Sequence, residues 1–369
     1  MIRPALKFGR PRIKAAILGC TGMVGQHFVR LLADHPDFEI AALAASPRSA
    51  GRPYGQAASW SIGGTVPAEE EARIVETLEG TAGYAARGIA VVFSALPAAA
   101  AGPVETALSR SGCAVFTNAS AHRRDADVPI LIPEINPGHF ELVHPRRRRR
   151  PGLIAAGSNC STAGLALALA PLRLFGIRRV SCFTYQSASG AGRRGLAALE
   201  AGPPNVIPFI KDEEDKMAFE TRKIFGPWTG GGIEAAPFGV EARCARVPVR
   251  EGHLLSVSVE LAREAGPAEV EEAINGFGVR PRGRALPTAP ERPLILRDEP
   301  DRPQPALDLW AGGPGRARGM AVSVGRLEVE GRSVKLFALV HNLVRGAAGL
   351  CVLNAEAALR QGVLEGGAS

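Results

Sequence analysis

The pattern of apolar and polar positions along the chain predicts an α/β protein. Apolar runs bounded by turn residues predict strands at residues 14–19, 38–45, 89–94 and 114–117, with an amphipathic helix at 26–33. Two later segments, 254–261 and 334–340, alternate apolar and polar residues as strands with one buried face do. We expect an N-terminal Rossmann-type dinucleotide-binding domain, followed by an α+β domain whose mostly antiparallel sheet carries the substrate pocket.

Composition narrows the class of protein. The 369 residues are 46% hydrophobic and 22% charged, which suffices for two domains with their own cores. The six cysteines form no C-x-x-C pair, and the histidines form no cluster at metal-ligand spacing, so we expect neither a disulfide framework nor a bound metal. This cysteine usage favours the cytoplasm. We expect no membrane span, and the basic residues 1–7 lack the apolar segment of a signal peptide.

A single basic run dominates the charge of the chain. The formal net charge is +8, and without the five residues Arg146–Arg150 it is +3. Because Pro145 and Pro151 flank the run, we interpret it as a solvated loop, with an anionic partner as the alternative. No interleaved aromatic residues accompany it, so we do not expect nucleic acid to be a partner.

Glycines between the first strand and the first helix predict a dinucleotide site. Gly19, Gly22 and Gly25 stand in a strand–turn–helix context, where glycine lets backbone amides approach a pyrophosphate at the helix N-terminus. The second strand ends without the carboxylate that holds the ribose of NAD. It is followed instead by Ser46, Arg48 and Ser49. Two hydroxyls and a guanidinium favour the 2′-phosphate of NADP.

Cys160 is the candidate nucleophile. It follows the polar cluster 157–159 and lies just ahead of the apolar segment 163–170, which places it near a helix N-terminus. Partial positive charge there lowers the pKa of a thiol and raises its thiolate fraction. A buried structural cysteine is the alternative reading of this window.

Several short motifs in one order resemble those of the aspartate-semialdehyde dehydrogenase family, in its archaeal and fungal branch. The resemblance runs from about residue 14 to residue 360. Its motifs are Gly19-x-x-Gly22-x-x-Gly25 and residues 45–51, 117–123, 127–129, 133–136, 158–162, 186–192, 246–253 and 344–349.

The resemblance implies reduction of L-4-aspartyl phosphate by NADPH to L-aspartate 4-semialdehyde and inorganic phosphate, a step of amino-acid biosynthesis. The thiolate of Cys160 would form a thioester, His253 would act as general acid/base, and Gln186 would orient the acyl group. Substrate-binding roles fall on Arg123, Asn159, Glu213, Lys216 and Arg246. Cofactor-binding roles fall on Gly19, Thr21, Gly22, Met23, Val24, Gly25, Ser46, Arg48, Ser49, Ser94, Ala95, Ser189, Gly190 and Asn342. Glu213 and Lys216 lie in a segment, 211–220, that we predict to be an exposed helix.

The resemblance also implies a domain organisation and an assembly. The NADP-binding domain would span residues 1–157, and the catalytic and dimerisation domain residues 158–342. A C-terminal helix at about 343–369 would pack back onto the first domain. A homodimer or a dimer of dimers is expected.

Departures from the family pattern leave the substrate open. Leu254 and Leu255 follow His253 where relatives usually carry Thr-Glu, His341 stands where they usually carry Asp, and Arg193–Arg194 replaces a more neutral stretch. One alternative is a specialised relative that reduces another acyl phosphate, or an acyl-CoA such as malonyl-CoA, through the same thioester. A non-catalytic NADP-binding regulator is the other, although it predicts loss of the Cys160, Gln186, Arg246 and His253 set, which is present.

Overall fold

The computed structural model describes residues 11–145, 151–279 and 286–364. The predictions for residues 1–7 and for the basic run Arg146–Arg150 fall outside these ranges. Within them, no helix combines the length and apolar character that crossing a membrane requires. The same described residues contain no group of three or more His, Cys, Asp or Glu side chains that could hold a metal ion.

The N-terminal part of the chain forms a six-stranded parallel sheet with the strand order β3-β2-β1-β4-β5-β6. Its strands are β1 Ile13–Leu18, β2 Phe38–Ala44, β3 Val75–Glu76, β4 Val91–Ser94, β5 Ala114–Thr117 and β6 Leu153–Ala156. The helices are α1 Met23–Leu32, α2 Tyr54–Ala57, α3 Ala68–Glu71 and α4 Ala98–Arg110. Since strand order reverses between β1 and β4, a crevice opens at the carboxyl ends of these strands.

The rest of the chain builds a second sheet of six strands with the order β10-β11-β12-β9-β7-β8. Its strands are β7 Ile177–Gln186, β8 Gly239–Arg246, β9 His253–Leu261, β10 Leu294–Arg297, β11 Val322–Glu330 and β12 Ser333–Val340. The remaining helices are α5 Cys160–Leu169, α6 Gly192–Ala201, α7 Glu213–Phe225, α8 Pro267–Gly276, α9 Pro305–Asp308 and α10 Gly349–Arg360.

The α/β fold with two sheets is confirmed, and the second sheet is mixed. Its pairs β7–β9, β9–β12 and β11–β12 are antiparallel, whereas β7–β8 and β10–β11 are parallel. A parallel pair needs a long crossover, and between β7 and β8 the crossover carries α6 and α7. The predicted alternation at 254–261 and 334–340 corresponds to β9 and β12, which pair with each other.

Helix α5 packs against the second sheet, where it contacts β9, β11 and β12. Residues 161–169 are all buried, as expected for a helix that is apolar on every side. Gly164 allows a close approach to the sheet, because a Cβ there would lie 2.8 Å from Cγ1 of Val340. The helix that carries Cys160 is therefore fixed against β12.

The C-terminal segment returns to the first sheet. Residues Val344–Ala348 form a π-helical turn that leads into α10, and α10 packs against α1 and β5. Val352, Leu353 and Ala355 of α10 lie in the same apolar cluster as Phe93 and Phe116 of the parallel sheet. The predicted boundaries at residues 157 and 342 stay predictions; β6 ends at Ala156 and α5 begins at Cys160.

A buried ion pair links the π-helical turn to the loop before β6. The fully buried Arg345 donates from Nη1 and Nη2 to the two carboxylate oxygens of Glu134, at 2.9 and 2.8 Å. The bidentate pair occupies one donor on each Nη, while Nε has no partner among the described residues. Removal of either partner would leave the charge of the other buried and uncompensated.

We expect Glu134→Gln to lower the free energy of unfolding by about 3 kcal/mol, because the Arg345 charge stays buried without its counter-ion. Urea denaturation followed by circular dichroism measures the change. The matched control is Glu200→Gln, which breaks the exposed pair with Arg250 and should leave the midpoint nearly unchanged. Equal midpoints for both variants would contradict a structural role for the Glu134–Arg345 pair.

Candidate active site

Strand ends in the second sheet bring three predicted residues together. Gln186 ends β7 and pairs in register with Arg246, which ends the parallel strand β8. His253 begins β9, which runs antiparallel to β7, so it lies at the same edge of the sheet. On its other side His253 pairs with Val340, the last residue of β12. The topology thus gathers distant residues at one sheet edge.

Asn159 positions Cys160 at the first residue of α5. Its Oδ1 accepts hydrogen bonds from the backbone N–H groups of Ser161 and Thr162, at 2.9 and 3.1 Å. This is an N-cap, which satisfies helix donors that have no partner within the helix. Behind the thiol the chain approaches so closely that a Cβ at Gly346 would lie 2.8 Å from the Cβ of Cys160. Cys160 is partly exposed, whereas the other five cysteines are buried.

The helix predicted to be exposed has a buried face that meets this site. Glu213, the first residue of α7, is 7% exposed, and its Oε1 accepts from Asn159 Nδ2 at 2.9 Å and from Gln186 Nε2 at 3.0 Å. The prediction of an exposed helix at 211–220 is therefore wrong for this face, because the amides of α5 and β7 bind the carboxylate. Lys216 is half-buried on the same helix.

Glu220, two helical turns beyond Glu213, was not predicted from the sequence. Glu220 is 1% exposed; its Oε1 accepts from Arg123 Nη1 at 2.9 Å and its Oε2 from the backbone N–H of Asn159 at 2.5 Å. The i, i+3, i+7 spacing of Glu213, Lys216 and Glu220 was the available signal. Arg123 is thus paired inside the protein, and it lines a cavity of about 290 Å³ together with Lys216.

His253 is fully buried and its ring is oriented by Ser187. Its Nδ1 accepts the backbone N–H of Ser187 at 3.1 Å, and Nε2 has no partner among the described residues. Since a backbone N–H only donates, the neutral ring carries its proton on Nε2. Burial, and then the charge of Arg246, lower the pKa of His253 to about 3, so the ring is neutral at physiological pH.

Arg246 and Asn342 complete the wall around Gly190. Arg246 Nη1 donates to the carbonyl of Ser187 at 2.8 Å. A Cβ at Gly190 would lie 2.5 Å from Arg246 Nη1 and 3.2 Å from His253 Nε2, so glycine leaves both groups accessible. Asn342 donates to Ser189 Oγ at 2.9 Å and accepts from the N–H of Gly252 at 2.9 Å.

The expected low pKa of Cys160 is wrong for the free protein. Burial, and then the negative charge of Glu213, raise the pKa of the Cys160 thiol to about 12. Arg123, the N–H of Ser161 and Arg246 act in the opposite direction and are outweighed. The position at a helix start predicted a lowered pKa, whereas the pKa is raised, because the sequence alone did not show that the thiol is desolvated.

A cavity of about 440 Å³ connects Cys160 with the glycine turn. The predicted residues that line it are Gly22, Met23, Val24, Gly25, Ala95, Arg123, Asn159, Cys160, Ser189, Gly190 and Asn342. Leu96, Asn118 and Gly346 line it as well and were not predicted. The signal for Leu96 and Asn118 was their position just after the strands β4 and β5, at the carboxyl edge of the sheet.

The other predicted cofactor residues lie around this cavity without lining it. Gly19 directly follows β1 with a φ of +72°, and a Cβ there would lie 2.7 Å from the carbonyl oxygen of Ala95. Ser94 is fully buried at the end of β4, and Thr21 is half-buried in the glycine turn. Ser46 and Arg48 are exposed and Ser49 is half-buried, in the loop after β2.

Comparisons with known proteins agree with this arrangement. Residues 14–143 match the family described as semialdehyde dehydrogenase, NAD binding domain, and residues 169–345 match semialdehyde dehydrogenase, dimerisation domain. Aspartate-semialdehyde dehydrogenases from Archaeoglobus fulgidus and Methanothermobacter thermautotrophicus are 42% and 43% identical. They cover 96% and 93% of this chain and 100% and 98% of their own. A malonyl CoA reductase (NADP) from Metallosphaera sedula is 37% identical over 96% of the chain and 99% of its own.

A crystal structure of aspartate semialdehyde dehydrogenase with NADP from Candida albicans has a TM-score of 0.81 and 36% identity, covering 96% of this chain and 100% of its own. The fold and the site define an oxidoreductase with a nucleotide-binding domain and a cysteine at the start of a buried helix. The chain belongs to the semialdehyde dehydrogenase family.

We expect alkylation of Cys160 by iodoacetamide to accelerate about tenfold per pH unit between about pH 6 and pH 9, because a thiol with a raised pKa gains thiolate throughout this range. Peptide mapping by mass spectrometry measures the rate at each pH. The five buried cysteines provide the internal control and should react more slowly. A plateau of the rate near neutral pH would show instead that the thiol is already ionised.

Proposed function

We propose that this protein is an NADP-dependent aspartate-semialdehyde dehydrogenase that reduces L-4-aspartyl phosphate to L-aspartate 4-semialdehyde through a thioester on Cys160. The observation that carries the proposal is the convergence of Gln186, Arg246 and His253 at one sheet edge, together with Cys160 at the start of α5 in the wall of a nucleotide cavity. The relatives named above support the choice of substrate.

The cavity fits a dinucleotide phosphate. The N-cap residue Gly22 supplies no side-chain acceptor to α1, so the first N–H groups of this helix remain donors at the cavity wall. Gly19 N donates to the carbonyl of Ala44 at 2.8 Å, which sets the loop 46–49 beside the glycine turn. Arg48 in this loop would bind the 2′-phosphate of NADP. When bound, NADPH supplies the hydride for the reduction.

Cys160 carries the covalent chemistry. The ionised Sγ attacks the carbonyl carbon of the acyl phosphate, the bond from this carbon to the phosphate oxygen breaks, and phosphate leaves with the electron pair. Once hydride is added to the thioester carbon, the resulting oxyanion re-forms the carbonyl while the carbon–sulfur bond breaks, which releases the aldehyde and returns Cys160 as a thiolate. Arg123 and Arg246 favour the ionised form of Cys160 by their charges.

His253 acts on the oxygen of this intermediate. Because Nδ1 is occupied by the N–H of Ser187, the proton on Nε2 faces Gly190 and the cavity. A neutral imidazole N–H at this position donates to the oxyanion while charge develops on it. This is the acid part of the predicted acid/base role. Gln186, held by Glu213, would keep the acyl group in place.

Positive charge would recognise the two anionic groups of the substrate. Arg246 is half-buried next to Gly190, and its guanidinium would bind the α-carboxylate. Lys216 would bind the phosphate with Arg123, and the two residues line one cavity. Glu213 and Asn159, joined by a hydrogen bond, would face the substrate amino group.

Of the basic residues behind the acyl-CoA alternative, Arg193 is engaged elsewhere, Arg194 is exposed on α6, and Arg146–Arg150 lie outside the described ranges. Arg193 Nη2 donates to the carbonyls of Thr21 and Ser59 at 2.9 and 2.7 Å, so it ties α6 to the glycine turn. No contact among the described residues favours CoA over a small phosphate ligand.

The dimerisation domain indicates an oligomer, and the outer face of the second sheet would form a homodimer interface. Phe183 and Tyr185 on β7 are 57% and 42% exposed on this face. Large apolar side chains exposed side by side mark a surface that a second copy would cover. The assignment of residues 158–342 to this domain and the cytoplasmic location are part of the proposal.

We expect reduction of NADP⁺ with L-aspartate 4-semialdehyde and phosphate to be at least about a hundredfold faster, as kcat/KM, than with malonate semialdehyde and CoA. Malonate semialdehyde lacks the amino group and carries its carboxylate one carbon closer to the aldehyde, so poorer contacts with Glu213 and Arg246 would penalise the second pair by about 3 kcal/mol. Absorbance at 340 nm measures both rates. Cys160→Ser is the matched control and should abolish the faster rate. A preference for malonate semialdehyde with CoA would overturn the substrate assignment.

We expect Lys216→Met to raise the apparent KM for phosphate in the oxidative direction by about tenfold, because one charge-assisted contact is lost, while the KM for the semialdehyde changes little. The matched control is Lys211→Met, which removes an exposed lysine just before α7. Steady-state kinetics at varied phosphate checks the result. An unchanged KM in the Lys216 variant would remove the phosphate role.

We expect Arg48→Ala to weaken NADPH binding by about tenfold and to leave NADH binding nearly unchanged, since only NADPH carries the 2′-phosphate. Fluorescence titration of each reduced cofactor measures the two constants. Arg52→Ala is the control, because Arg52 is exposed near Arg48 and donates to the carbonyl of Gln56. Equal losses for both cofactors would show that Arg48 has only a structural role.

A further inference from the structure

A third cavity, of about 690 Å³, lies between α1 and the segment that precedes β11. Its size falls within the range of small-molecule pockets. The residues that give it chemical character are His27, Arg30, Trp310, Arg316, Arg318 and Val344. None of them belongs to the nucleotide cavity or to the catalytic set described above.

Three arginines meet in this cavity without an ion-pair partner among the described residues. Arg30 Nη2 donates to the carbonyls of Ile62 and Gly63. Arg316 donates to the carbonyls of Leu31 and Ala33, at 2.9 and 2.6 Å. Arg318 lies over the ring of Trp310, 4.6 Å from its centroid. Backbone carbonyls and an aromatic face hold the guanidinium groups but do not neutralise them.

The like charges repel one another. Burial, and then the charge of Arg318, lower the pKa of Arg30, and Glu251 opposes them more weakly. Repulsion between arginines held this close lowers the free energy of unfolding unless an anion compensates their charge. The arrangement is therefore typical of a site that is completed by a ligand.

A buried histidine in the wall supplies an independent sign of a ligand. His27 is 2% exposed, and its Nε2 has no hydrogen-bond partner in the described part of the chain. A buried polar atom without a partner costs free energy that a ligand can recover. The ring of His27 meets that of His341 edge-on, with 5.8 Å between centroids, and His341 lies 4.3 Å from Trp310 by the same measure.

We propose that this cavity binds a small molecule with two or more phosphate or carboxylate groups, at a site separate from the active site. The guanidinium groups of Arg30, Arg316 and Arg318 hold the anionic groups, and the ring of His27 hydrogen-bonds to the ligand at the inner wall. The segment 342–344 separates this cavity from the nucleotide cavity, since Val344 lines this cavity while Asn342 and Leu343 line the nucleotide cavity.

The proposal is tested by isothermal titration calorimetry on the full chain saturated with NADP, so that the nucleotide cavity is filled. Inorganic pyrophosphate and citrate are the two probes, and their comparison separates phosphate from carboxylate ligands. We expect at least one of them to bind at one site per chain. Arg318→Gln should weaken this binding by at least about tenfold, as loss of a charge-assisted contact does.

Two matched variants separate this site from others. Arg110→Gln removes an exposed arginine at the end of α4 and should leave the affinity unchanged. Lys216→Met should also leave it unchanged, because Lys216 lines the candidate phosphate site. His27→Phe keeps an aromatic ring but removes the nitrogen atoms, and we expect it to weaken binding as well. It tests the site independently should Arg318→Gln fail to fold.

Several outcomes would overturn the proposal. One is the absence of saturable binding of either probe to the wild-type protein. Another is equal affinity in the wild type and in folded Arg318→Gln and His27→Phe proteins. A third is loss of binding in Lys216→Met alone, which would assign the heat to the active site. Because none of these measurements requires turnover, their result is independent of the substrate assignment.

Discussion

Asn159 holds together the parts of the site that come from different regions of the chain. Its Oδ1 caps α5, its Nδ2 donates to Glu213, and its backbone N–H donates to Glu220. These contacts fix the helix that carries Cys160 to the helix α7, whose own residues reach Gln186 and Arg123. A single buried amide therefore sets the relative positions of the nucleophile and the charged groups around it.

The charges of the site oppose one another in a buried environment. Glu213 and burial disfavour a thiolate at Cys160, whereas Arg123 and Arg246 favour it. Arg123 is itself neutralised in part by Glu220, at 2.9 Å. The protein thus keeps the thiol protonated in the free state. Any change that displaces water or adds positive charge beside Sγ acts on this balance and alters the thiolate fraction.

Local patterns in the sequence were sufficient to predict the strands and the glycine turn of the first domain and the helix start at Cys160. The glycines at 19, 22 and 25, the strands around them and the position of Cys160 at a helix start all depend on short-range geometry, and the structure has them where they were expected. The parallel pairing of β7 with β8 was not predictable, because it depends on a crossover rather than on alternation within a strand.

The parts of the site that were missed depend on contacts between residues far apart in the chain. The role of Glu220 depends on the packing of α7 against α5, which the sequence does not show. The raised pKa of Cys160 depends on the burial of its thiol, which the sequence does not show either. The same holds for His341, whose departure from the family pattern was noted but whose neighbours His27 and Trp310 come from separate segments. A sequence pattern reports neighbours along an element, whereas burial and charge pairing depend on the assembled fold.

The return of the C-terminal segment to the first sheet has a consequence for biosynthesis. The apolar cluster around β1, β4 and β5 includes Val352, Leu353 and Ala355, and the wall behind Cys160 includes Gly346. During translation the parallel sheet would emerge long before these residues leave the ribosome. Its apolar surface against α10 stays uncovered until then, and uncovered apolar surface makes an incomplete chain prone to aggregation.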